Sequence, residues 1–159
     1  MKGEPAERLD PRAITLWRIA GTLNMLPLLV GACFVGWALL RFGEGSFFFG
    51  VLPVLAVVVL AGVVVGVAPG MRWRRWRYEI RPDEVDLQRG ILWISRTLVP
   101  LARIQHVDTR QGPLQRRFGL STVIFYTAAG PNQIPELSTP VAAEARDRIA
   151  ELTREQDEL

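Results

Sequence analysis

The chain has 159 residues, 49% apolar and 22% charged, with 19 basic against 16 acidic side chains and a net charge of +3. The length suits about one domain, but residues 19–40 and 46–71 carry no charged side chain at all. Each run is long enough to cross a bilayer core of about 30 Å. That excludes a purely soluble globule, and the Val, Leu and Ile content excludes a disordered chain.

An N-terminal flank over 1–18 holds Lys2, Arg8, Arg12, Arg18 and Trp17. A first transmembrane helix is predicted over 19–40. Its apolar stretch is too long for the core of a cleavable signal peptide. Pro27 lies inside it, as neighbouring helices and local distortion can tolerate. The loop over 41–46 has one basic residue, Arg41. A second transmembrane helix is predicted over 47–69, apolar on every face, as lipid exposure demands. Ala32 with Gly36, and Gly62 with Gly66, form small-xxx-small pairs that allow helices to approach closely. The segment over 70–77 is basic and aromatic, with Arg72, Arg74, Arg75 and Arg77 around Trp73 and Trp76. Positively charged flanks stay inside. Eight basic residues flank the spans on one side against one in the loop, so both termini are expected in the cytoplasm, with a two-span hairpin whose loop reaches the outside. Trp17, Trp73 and Trp76 fall where interfacial anchors belong.

From residue 78 the hydrophobic period shortens. Residues 77–80 form a short strand and 81–83 a turn around Pro82. Val85 and Leu87 alternate as one buried face of the next strand. A hairpin is predicted at Arg89-Gly90, then strands over 91–99 and 104–111. Residues 112–119 read as one helical turn, opened by Pro113 and closed by Gly119. Residues 120–127 are the strongest strand in the chain. A last strand over 133–137 belongs at an edge because of Pro135. Ser138-Thr139-Pro140 starts a helix whose stripe of Val141, Ala145, Ile149 and Leu152 lies on the strands, and 154–159 is an acidic tail. Six or seven antiparallel strands closed by one amphipathic helix describe a small barrel or sandwich with the helix at one open end.

That outline is also that of a pleckstrin-homology (PH) domain. Val99-Pro100-Leu101-Ala102-Arg103-Ile104-Gln105-His106-Val107 and Gln111-Gly112-Pro113-Leu114-Gln115-Arg116-Arg117-Phe118-Gly119-Leu120 carry P-x-x-R-I-Q-x-V and Q-G-P-x-x-R-x-F-G-L patterns. On these the chain resembles the bacterial PH-domain family of YdbS-like membrane proteins, over roughly 14–153. The resemblance implies a PH-like domain over 78–153 tethered to the inner membrane face. It implies no phosphoinositide binding, and it makes a larger membrane protein with several such domains a candidate partner.

No motif for a nucleophile, zinc, phosphate or cofactor is present. The spans carry no acidic residue that would mark an ion pathway. Cys33 stands alone, and no metal ligand set, cofactor or catalytic residue is expected. His106 and Asp108 share a strand face and read as a surface pair. Nucleic acid is an unsuitable partner, since the basic residues abut the spans without a stacking platform. Two readings fit this pattern. One is a non-enzymatic interaction or scaffold module. The other is a binder of anionic lipid headgroups through Arg72, Arg74, Arg75, Arg77, Arg116 and Arg117.

Overall fold

The computed structural model describes residues 4–43 and 47–157, without the side chain of Asp157. The chain divides into two compact units, residues 17–70 and residues 1–16 together with 71–159. Within the expected loop over 41–46, residues 44–46 lie outside the described residues, as do Lys2 and the last two residues of the tail.

The first unit is a pair of apolar helices. Helix α1 runs Arg12–Phe42 and continues through Pro27. Helix α2, Phe47–Ala61, passes through a π-helical stretch, Gly62–Val67, into α3, Ala68–Arg75. Both are long and apolar enough to span a membrane. They approach closely at Gly36 and Gly50, where a Cβ on Gly36 would run into the Gly50 carbonyl oxygen. Of the two small-xxx-small pairs, the one in α1 is at the contact, with Ala32 buried. Gly62 and Gly66 have open space beside them and line an apolar groove of about 380 Å³ with Met25, Leu29 and Val58.

The second unit holds two antiparallel sheets. Strands β1 (Glu7–Arg8), β2 (Arg77–Ile80), β3 (Glu84–Gly90) and β4 (Ile94–Pro100) form one, in that order. Strands β5 (Ile104–Arg110), β6 (Leu120–Thr127) and β7 (Gly130–Ser138) form the other. The sheets do not close into a barrel, so of the two expected forms the open, two-sheet one is found. Alternation fills the core: Tyr78, Ile80, Val85, Leu87 and Val99 from the first sheet, Ile104, Leu120, Val123, Phe125 and Ile134 from the second. Helix α5, Thr139–Asp157, packs on this core. Ala142 and Ile149 are fully buried and Ala145 nearly so, while Leu152 is half-buried and Val141 exposed. The buried stripe is thus turned slightly from the expected one.

Three departures have clear causes. Residues 7–8 form a strand although nothing in the N-terminal flank alternates. Glu7 pairs with Tyr78 and Arg8 with Arg77, across the whole helical hairpin in sequence. The β3–β4 turn is not Arg89-Gly90. Strand β3 runs through Gly90, which pairs with Ile94 around a loop of Ile91, Leu92 and Trp93. Gly90 has φ +142°, and a Cβ there would strike the Trp93 carbonyl. Strand β7 is longer than expected and does lie at an edge. Its register shifts between Ser121 and Val123, leaving Pro135 and Glu136 opposite Thr122 alone. This bulge removes the ladder position where Pro135 would lack an N–H.

Candidate functional site

The basic segment and the N-terminal flank meet at one end of the four-stranded sheet. Strand β2 begins two residues after α3 ends, and β1 ends four residues before α1 begins. Between them, the Trp73 indole N–H donates to the Leu9 carbonyl at 2.9 Å, and the Arg8 guanidinium lies 5.8 Å from the centroid of the same ring. Leu9 is 2% exposed. Asp10 donates its backbone N–H to the Glu136 carbonyl at 3.2 Å. Arg12 is held by both Asp10 oxygens at 2.9 Å and donates to the Phe118 carbonyl at 2.8 Å. The hydrogen bond from Arg12 holds the Asp10 carboxyl below the usual carboxylate range, against the opposing effect of burial.

Helix α4, Pro113–Phe118, is joined to this end. Gln115 donates to the Glu136 carboxylate at 3.1 Å and to the Thr122 hydroxyl at 2.8 Å, and accepts from the Gly112 N–H at 2.9 Å. Glu136 is buried, has φ +52°, and lies close enough to Arg72 for the two charges to interact. A bulge residue in left-handed conformation therefore carries a carboxylate that ties α4 to the start of the basic segment. Sequence patterning gave it no special place, since neither a bulge nor a positive φ at glutamate leaves a local signal.

Arg74 and Arg75 are exposed at the end of α3, and Arg116 and Arg117 are exposed on α4. Arg72 is exposed beside Glu136. Arg77 is half-buried, 3.8 Å from Glu4. Trp17 is half-buried on α1. Trp73 is half-buried against Leu9 and Arg8, and Trp76 is 4% exposed. The indole of Trp76 is therefore a core side chain of the sheet unit.

The outer face of the four-stranded sheet carries its own charged lattice. Asp86 is fully buried and accepts from Arg96 at 2.5 and 3.0 Å, with Arg81 at 3.5 Å. Arg81 also binds Glu79 at 2.6 Å and Glu84 at 3.4 Å. On the inner side, burial raises the Tyr78 hydroxyl above its usual range, and Glu7 accepts its hydrogen bond. His106 and Asp108 form an exposed pair at 3.0 Å on β5.

The two sequence patterns prove to be structural corners. Gln111 donates to the Leu120 carbonyl at 2.9 Å, Pro113 opens α4, and Gly119 takes the left-handed C-terminal position at φ +64°. Pro100 precedes a 3-10 turn, Leu101–Arg103, whose Leu101 is fully buried and donates its N–H to the Asp83 carbonyl. A family model described as "Bacterial PH domain" matches residues 23–153. The chain belongs to the bacterial PH domain family. It is 35% identical, over 99% of both chains, to UPF0699 transmembrane protein YdbS of Bacillus subtilis (strain 168). It is 27% identical over 100 residues to UPF0699 transmembrane protein YdbT of the same organism, covering 63% of this chain and 19% of YdbT. No solved structure matches the chain significantly. This bacterial PH domain protein is thus a membrane protein with two candidate spans, and neither relative's name denotes an enzyme.

Proposed function

We propose that the chain is a non-enzymatic, membrane-anchored PH-like module on the cytoplasmic face of the cell membrane, acting as an interaction or scaffold subunit of a membrane complex. The observation that carries this reading is the open edge of β4. Among the described residues that strand has β3 as its only neighbour in the sheet, and Ile94 and Leu98 are exposed along it. An open edge with apolar side chains suits addition of a further strand or a facing surface. The partner is a larger membrane protein with related PH-like domains. The similarity to part of YdbT supports that choice, because one organism holds both a full-length relative and a longer protein sharing this region. The full chain, tagged and purified in detergent with the longer PH-domain protein of its own cell, should form a stoichiometric complex. Leu98→Lys should weaken it while leaving insertion intact. Separate elution of the two proteins would overturn the reading.

A second reading, anionic-lipid binding, is favoured by the exposed arginines of α3 and α4, which Glu136 and Arg12 bring to one end of the unit. Each is worth about 1 kcal/mol near an anionic leaflet. Closer approach of the sheet unit to anionic than to neutral bilayers in the full chain, lost at high salt, would support it. Both readings use the cytoplasmic orientation. A reporter active only outside the membrane and fused after Leu159 should stay silent.

A further inference from the structure

The β3–β4 loop is the most apolar exposed turn of the sheet unit. Leu92 is 77% exposed, Trp93 81% and Ile94 54%. Turns normally carry Gly, Asn, Asp, Ser or Pro, and a tight turn gains nothing in folding from an exposed Leu-Trp pair. Nor is this a slack loop. Gly90 and Ile94 are paired, and the Gly90 backbone packs against the Trp93 carbonyl so closely that a Cβ has no room. The two side chains are presented by a fixed backbone.

The register says which end of the sheet they occupy. Arg77 is opposite Gln88, and Arg8 is opposite Arg77. Residues 77 and 8 are the ends of β2 and β1 from which the chain leaves for α3 and α1. Strand β3 continues past that level to Gly90, about 7 Å further at ~3.3 Å per residue, and the loop lies beyond it. The opposite end of the same strands is closed by Arg81, Pro82 and Asp83, a turn without a large apolar side chain. The apolar turn therefore stands at the end of the sheet that both connections to the apolar helices share. Exposed Arg89 precedes it.

We propose that Leu92 and Trp93 seat in the interfacial zone of the bilayer that α1 and α2 cross, between headgroups and acyl chains. An indole with a neighbouring leucine and a flanking arginine fits that zone, where one end of the ring is wet and the other apolar. The occupant is the lipid interface itself, with no headgroup selectivity. The spans already anchor the chain, so the contact serves to fix the sheet unit at a set height and tilt. The proposal does not depend on the partner reading above.

The test uses the full chain in phosphatidylcholine vesicles, with and without phosphatidylglycerol. The emission lost on Trp93→Phe belongs to Trp93, and that residue is exposed enough for the change to spare the fold. The difference spectrum should be blue-shifted, quenched by brominated lipid and severalfold less sensitive to aqueous iodide than a Pro82→Trp reporter in the Trp93→Phe chain. Both vesicle types should behave alike. Iodide quenching equal to that at position 82, without quenching by lipid, overturns the proposal. So does protection from both quenchers, which would mean that a second copy or another protein covers the turn.

Discussion

Two segments of the sheet unit combine arginine with tryptophan, and they use their tryptophans in opposite ways. In residues 71–77, Trp76 is buried and Trp73 is tied to the Leu9 carbonyl. In residues 89–94, Trp93 is among the most exposed side chains of the unit. By composition the first is the better candidate for an interfacial belt, with four arginines against one. The difference lies in the backbone that each segment joins. Residues 76–80 enter a strand immediately, so the aromatic next to the chain junction is drawn into the core. Residues 91–93 connect two strands whose inward positions are already filled by Leu87 and Val99, and their side chains have no core to enter.

The largest test of that contrast is truncation of each indole. Trp76→Ala should cost about 3–5 kcal/mol through the cavity it leaves, whereas Trp93→Ala should stay within about 0.5 kcal/mol. Chemical unfolding of the sheet unit in detergent, tracked by circular dichroism, would show a large midpoint shift for one and almost none for the other. Equal shifts would erase the distinction. A smaller loss is expected for Gly90→Ala, about 1–3 kcal/mol from forcing a side chain into a left-handed, crowded position, with Trp93 emission changing as the turn rearranges. Loss of the indole donor in Trp73→Phe should cost about 1 kcal/mol, since the Leu9 carbonyl loses its partner. It should also loosen the N-terminal segment to proteolysis. Wild-type cleavage rates near residue 9 would mean that Trp73 holds nothing.

The finest prediction concerns Asp10, which orients Arg12 toward Phe118. Its folded pKa is below its unfolded value of 3.8. The stability it contributes is therefore complete above that value and is lost as pH falls through the lower folded one. The stability gap between wild type and Asp10→Asn should be constant from neutral pH down to about 4, then shrink on further acidification. A gap that shrinks between pH 8 and 6 would point to another group.

Much of the fold was legible because it is written in short periods. Val85 and Leu87, the β-branched run of β6, and the Pro113 to Gly119 turn all signal within a few residues. Strand β1 was illegible, because Glu7 and Arg8 become a strand only by pairing with residues beyond two apolar helices. The Glu136 bulge was illegible for a like reason: its conformation is set by the Ser121–Val123 register, not by its neighbours in sequence. The basic segment could be read as a charge pattern, but the burial of Trp76 depended on the strand it leads into. The Leu92-Trp93 turn carried a visible signal, two large apolar residues close behind Arg-Gly. Pattern alone assigns it to a strand, because apolar runs and apolar turns look alike without register.

The pairing of β1 with β2 also bears on how the protein is made. One strand is synthesised before both apolar helices and the other after them, yet they must meet in one sheet on one side of the bilayer. If one helix failed to insert while the other crossed, the partners would be left in different compartments and the sheet could not form. Completion of the sheet thus requires residues 7–8 and 77–80 to lie on the same side of the membrane. The Trp73–Leu9 and Arg12–Phe118 contacts, which likewise join residues before the helical hairpin to residues after it, can form only in chains that have threaded an even number of times.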